Sequence, residues 1–206
     1  MIRPGKNKLI HWFFNRYILR IVERSFQSVN FNAIETDPDK AVLLIANHYS
    51  WWDGFLLYYL NAKLFKRNFR IMVLEQTMKE FAFFKFLGAY SVNKNTKGII
   101  ESLEYTAELL ADPHNLVVIF PQGKIYSNFI DEVNFEKGLS RIINKENLNF
   151  QFVFAVSFIE HLQYKKATIN VYLKNAGSSF KDLAEVIHAF QHHYQTAKSE
   201  QTKIVI

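Results

Sequence analysis

The chain has 206 residues, 49% of them hydrophobic, which suits one globular domain with a sizeable core and excludes an intrinsically disordered chain. It has no cysteine, so disulfides and thiol nucleophiles are excluded as well. Of its net charge of +6, residues 1–24 carry +5, from Arg3, Lys6, Lys8, Arg16, Arg20 and Arg24 against Glu23; the basicity is an N-terminal feature, and no nucleic-acid partner is expected.

In chain order, residues 6–27 come first and read as an amphipathic helix. Leu9, Phe13, Tyr17 and Ile21 recur every fourth position, flanked by Ile10, Phe14, Ile18 and Val22. Lys8, His11, Asn15, Arg16, Arg20 and Arg24 fall mostly off that stripe. Two readings stay open. The helix docks on the domain's own core with a solvated basic face, or it lies in an anionic bilayer surface with Trp12 and Phe13 in the interface. The load of 20 Phe hints at a lipidic ligand or a membrane-facing surface. No apolar run approaches the ~20 residues of a spanning helix, and no signal peptide opens the chain. The expected location is the cytoplasmic side of the cell membrane, peripheral and monotopic. The expected organisation is a membrane-associating helix over 1–28 and one domain over 29–206.

Strands and helices then alternate. "AVLLIA" at 41–46 and "NLVVIF" at 115–120 are continuous apolar runs, as buried strands require. Further strands are expected at 29–36, 69–74, 88–92, 149–162 and 167–175. Helices are expected at 54–65, 76–87, 96–112, 135–146 and 180–197. This pattern predicts a single α/β domain, a mainly parallel β-sheet covered by helices.

Both buried strands run into polar loops, "NHYSWWDG" and "PQGKIYS". Ligands of open α/β sheets bind at the carboxyl ends of strands, so the two loops are expected to share one site. His48 and Asp53 stand five positions apart, not a same-face helical spacing, and meet only if the loop folds back on itself. In that arrangement Asp53 accepts the Nδ1–H and leaves Nε2 as a base. The alternative is a helix-capping aspartate beside a loop histidine. Without a nucleophile motif, such a pair would activate a substrate hydroxyl or a water. Gly123 permits close backbone approach to an oxyanion or phosphate, or closes a tight turn. His188 and His192 lie one helical turn apart, but no third ligand is evident and no metal is expected.

Together these segments resemble the glycerolipid acyltransferases, the family that includes 1-acylglycerol-3-phosphate acyltransferases. Asn47-His48-x4-Asp53 is similar to the first motif, Gly88 to Lys94 to the second, and Phe120-Pro121-Gln122-Gly123 to the third. "NFEKG", with Lys137 and Gly138, is similar to an element that usually follows. The order holds across about residues 41–157. Lys94 stands where the family has Arg, Gln122 where it has Glu, and Ile125 at another usual Arg, with Lys124 beside it. "FAV" at 154–156 lacks the proline of the fourth motif.

The resemblance implies acyl transfer from acyl-CoA or acyl-carrier protein to the hydroxyl of a lysophospholipid, in phospholipid biosynthesis. It implies His48 as general base and Asp53 as its partner, with no cofactor beyond the thioester substrate. Lys94, Gln122, Gly123 and Lys124 are the implied substrate-binding positions. The missing arginines leave a non-phosphate lipid alcohol or amino-lipid as the alternative acceptor, because Lys cannot copy the bidentate fork of Arg. A non-catalytic peripheral membrane-binding protein and a lipid hydrolase are the readings from other classes.

Overall fold

The computed structural model describes residues 1–93, 96–143 and 149–206. Seven strands form one sheet: β1 (Ser28–Phe31), β2 (Ala41–Ala46), β3 (Asn68–Leu74), β4 (Ala89–Val92), β5 (Asn115–Ile119), β6 (Phe150–Glu160) and β7 (Thr168–Gly177). Their order is β1-β7-β6-β2-β5-β3-β4. Every pairing is parallel except β6 with β7, so β7 and β1 run against the other five. The mainly parallel α/β domain read from the sequence is the one found.

Every residue of β2 and β5 is buried, because helices cover both faces of the sheet. On one face α1 (Lys8–Ser25) and α2 (Asp53–Leu60) pack over Val42, Leu44, Leu116 and Val118. On the other, α4 (Thr96–Leu110) and α6 (Leu183–Gln201) pack over Leu43, Ile45, Val117 and Phe154. The short helices α3 (Glu75–Glu80) and α5 (Ser140–Ile143) complete the set.

Several elements differ from the expected bounds for local reasons. The strand expected at 29–36 ends at Phe31, because the Asn32 side chain takes over pairing with the backbone of Leu173, at 2.9 and 2.7 Å. The helix expected at 54–65 becomes a π-helical turn at Asn61–Phe65, stopped by Lys66 at φ 54°. The helix expected at 76–87 is α3 followed by a 3₁₀ turn, Ala82–Leu87. That turn closes on Gly88 at φ 94°, where a Cβ would stand 1.9 Å from the carbonyl oxygen of Phe69, so only glycine fits. The helix expected at 135–146 starts as a 3₁₀ turn at Lys137–Leu139 and continues as α5, and its last residues lie outside the described ones.

α1 is docked mainly through the residues flanking the stripe that the sequence makes most regular, and of that stripe through Ile21. Ile18 and Val22 are fully buried, with Phe14 and Ile21 packed beside them. Leu9, Trp12, Phe13 and Tyr17 face outward, Leu9 at 74% exposure. Among the described residues no helix is long and apolar enough to cross a membrane.

The two faces of α1 are expected to respond differently to substitution. Ile18→Ala should cost about 2–5 kcal/mol by cavity formation. Leu9→Ala should stay within about 0.5 kcal/mol. Urea denaturation of both variants measures this, and equal losses would contradict the docking.

Candidate functional site

The site begins where β2 stops. Asn47 is buried, and its side chain bonds the backbone of Ser157 on β6 in both directions, Nδ2–H to the carbonyl at 2.9 Å and the amide N–H to Oδ1 at 2.8 Å. This clamp fixes the direction in which the chain leaves the sheet. His48 follows, then the loop turns back on the first residue of α2.

That residue is Asp53, only 4% exposed. Its Oδ2 receives His48 Nδ1–H at 2.7 Å and the backbone N–H groups of Tyr49 and Ser50 at 2.8 and 2.9 Å. Its Oδ1 is buried without a partner among the described residues. Burial pushes the Asp53 carboxyl above the usual carboxylate range, and the hydrogen bonds from His48, Ser50 and Tyr49 pull it partly back. The Tyr49 hydroxyl is also buried without a partner, and burial, helped by the Asp53 charge, drives its phenol upward.

The loop after β5 holds the histidine from the other side. The Phe120 ring stacks on the imidazole at 4.2 Å between centroids, with planes 14° apart. Gln122 is buried and accepts the His48 backbone N–H through Oε1 at 2.7 Å. The His48 carbonyl accepts the Tyr126 N–H at 3.0 Å. Gly123 sits at φ 61°, and its own N–H closes a turn onto the Phe120 carbonyl at 3.2 Å. The amides of Lys124 and Ile125 carry no partner among the described residues.

An apolar cavity of about 500 Å³ opens beside these groups. His48, Trp51, Phe120, Lys124 and Ile125 stand on its wall where the strands end. It runs along β3 past Gly54, Ile71 and Ala89 toward Tyr58, Phe69 and Leu87. A chamber of that size lies within the ~300–1,000 Å³ of small-molecule sites. Small residues line part of it, and a Cβ on Gly54 would stand in ordinary contact with Ile71 at 3.6 Å.

Of the expected site residues, His48, Asp53, Gln122, Gly123 and Lys124 are brought together, and Lys94 lies outside the described residues. His188 and His192 are exposed on α6, and among the described residues no three His, Asp or Glu side chains gather as a metal site would require. Sequence reasoning missed the stacking of Phe120, the Gln122 bond to the His48 backbone and the cavity. Gly54 and Ala89, small residues among bulky apolar ones, were the available signal for the last.

A family model described as Acyltransferase matches residues 28–155. No curated protein matches the chain.

Because the native environment raises the Asp53 carboxyl, the ionised form costs stability at neutral pH. Asp53→Asn is therefore expected to unfold at no lower a denaturant midpoint than the wild type at pH 7. That advantage should shrink as pH falls through the raised native value and vanish below the ordinary aspartate value, where both states of the wild type are protonated. Urea midpoints measured from pH 7 down to pH 3 check the sign.

Proposed function

The chain belongs to the acyltransferase family, which makes it a lipid acyltransferase, and from that premise we propose that it moves a fatty acyl group from acyl-CoA or acyl-carrier protein to the hydroxyl of a lysophospholipid. One observation carries the reading: His48, bonded through Nδ1 to a buried aspartate, stands at the strand-end of an apolar cavity. A carboxylate acceptor on Nδ1 holds the proton there and leaves Nε2 unprotonated.

In the proposed reaction His48 Nε2 takes the acceptor's hydroxyl proton, and Asp53 stabilises the imidazolium that forms. The oxygen attacks the thioester carbonyl, whose C=O electron pair moves onto oxygen. The tetrahedral intermediate then collapses, the C–S bond breaks, and the thiolate takes the proton from His48. No acyl-enzyme forms. The Lys124 and Ile125 amides are the proposed donors to the oxyanion, since the Gly123 N–H is committed to its turn. The acyl chain is assigned to the apolar cavity. Lys124 is assigned to the acceptor phosphate, with Lys94 completing that set. Gln122 acts by holding the His48 backbone, its Nε2 remaining for the substrate.

A peripheral membrane position is part of the proposal. Leu9, Trp12, Phe13 and Tyr17 form an exposed apolar face on α1, with Arg16 over the Trp12 ring at 5.7 Å. From α1 a chain of rings runs to the cavity: Phe14 stacks on Phe83 at 4.2 Å, Phe83 meets Phe81, and Phe81 meets Trp51 at 5.9 Å. An acceptor and its acyl chain could reach His48 along that surface without crossing water.

A specific observation favours the alternative acceptor, a neutral lipid alcohol or amino-lipid. Ile125, not arginine, stands on the cavity wall beside Lys124.

Thiol release from acyl-CoA donors of graded chain length, with lysophosphatidic acid or a neutral lipid alcohol as acceptor, tests the reading. His48→Ala should lose on the order of 10²–10⁴ in rate with the fold intact. Ala89→Leu should shift preference toward shorter chains by roughly tenfold or more, since each unburied methylene forfeits ~0.8 kcal/mol. Acceptor-dependent release that persists in His48→Ala would refute the mechanism. The acceptor that supports turnover decides between the two classes. Replacing Leu9, Trp12 and Phe13 together by Ser should sharply lower flotation with anionic vesicles while leaving the urea midpoint nearly unchanged. Undiminished flotation would remove α1 from the membrane contact.

A further inference from the structure

A second cavity, of about 730 Å³, lies at the amino-terminal end of β3, away from the strand-end where His48 stands. The segment leading into α1, the residues after the π-helical turn and the Phe86–Gly88 stretch enclose it. Its wall holds five cationic side chains, Lys6, Lys8, Lys66, Arg67 and Arg70, and no aspartate or glutamate.

Arg67 is occupied structurally, since its guanidinium donates to the carbonyls of Asp37, Lys40 and Pro113. The other four make no ion pair with a carboxylate among the described residues. The carboxylate that feels Arg70 is Asp112, which is half-exposed and hydrogen-bonded to His114. Arg70 itself is poorly satisfied. Among the described residues its Nε is buried with no partner, and its Nη1 reaches only the Phe69 carbonyl at 3.4 Å. A buried charged donor without an acceptor is costly and calls for an explanation.

Two further features support a built site. Lys66 is held at φ 54°, a conformation that side-chain-bearing residues rarely adopt, by its N–H bond to the Asn61 carbonyl at 2.7 Å. That bond closes a π-helical turn, a local irregularity that recurs at functional sites. The first turn of α1 has no acidic residue; the Asn7 side chain caps the Ile10 N–H at 3.0 Å, and the positive end of the helix dipole is otherwise not neutralised by a carboxylate.

Lys6, Lys8 and Lys66 are exposed and Arg70 is half-buried, so water screens much of their mutual repulsion, but their summed positive potential at one cleft favours an anion of more than one charge. A phosphate group fits, offering oxygens to the guanidinium fork of Arg70 and to the lysine point charges. We infer that this cleft binds a phosphate group, carried either by a lipid headgroup in a bilayer or by a soluble phosphate compound. The site is separate from the His48 cavity, the two sharing only the walls made by Tyr58, Phe69 and Leu87, and it stands whether or not the acyl-transfer reading holds.

Two arms on the full chain test the inference and separate the sources. In one, thermal unfolding is followed against inorganic phosphate at constant ionic strength. In the other, flotation is followed with phosphatidylcholine vesicles with and without phosphatidylglycerol. Arg70→Gln and Lys66→Gly are examined singly and together; glycine suits the Lys66 backbone, so that variant keeps the test alive should Arg70→Gln fail to fold. Lys165→Gln/Lys174→Gln, two exposed lysines away from both the cleft and α1, removes the same charge as the double variant. Loss of roughly tenfold or more in apparent affinity for the cleft variants, with a smaller loss in the control, is expected. A cleft-specific loss confined to the phosphate arm assigns a soluble phosphate compound, and one that extends to vesicles assigns a lipid headgroup. Equal losses in cleft and control variants, or none in either arm, would overturn the site.

Discussion

The site depends on one oxygen. Asp53 Oδ2 takes three donors, one from the imidazole and two from the backbone of the intervening loop, all within 2.9 Å. Those bonds bend the five-residue segment back on itself and orient the His48 ring together. Burying a carboxylate is expensive, and three donors offset only part of that expense, as the raised carboxyl and the unpartnered Oδ1 show. A chain optimised for stability alone has no reason to keep such a group. Its persistence in a well-packed fold is physical ground for treating it as functional.

The rest of the architecture makes that bend reproducible. β2 lies between β5 and β6, and both neighbours anchor the exit of β2. From β6 the backbone of Ser157 grips Asn47, and from the loop after β5 come Phe120 and Gln122. The imidazole therefore moves with the sheet, not with a free loop. Only its Nε2 edge and its place on the cavity wall remain for a ligand.

The sheet was legible because buried parallel strands write continuous apolar runs, and both central ones do. The spacing of His48 and Asp53 left two readings open, a pair across a reversed loop or a capping aspartate beside a loop histidine, and the reversed loop is the one found. Other features were not legible, for reasons that differ. Gln122 differs from the glutamate of the family pattern, yet its role here needs only an acceptor oxygen on a backbone amide, which either residue supplies. The early end of β1 is set by Asn32 imitating a strand with its side chain, a long-range pairing that no local pattern announces. Cavities are absences of atoms, and only the small residues that permit them leave a trace.

α1 shows why periodicity alone gave two answers. Its apolar residues cover more of the circumference than one docking face needs. Phe14, Ile18, Ile21 and Val22 enter the core, while Leu9, Trp12, Phe13 and Tyr17 form a second sector, and Lys8 and His11 turn toward the basic cleft. The core reading describes the inner sector, and the outer sector is left exposed for the surface contact proposed above. The inner sector ties α1 to the sheet that orients His48. The outer sector and the cleft are thereby held at fixed positions relative to the cavity, through Phe83, Phe81 and Trp51 on one side and Tyr58 and Phe69 on the other.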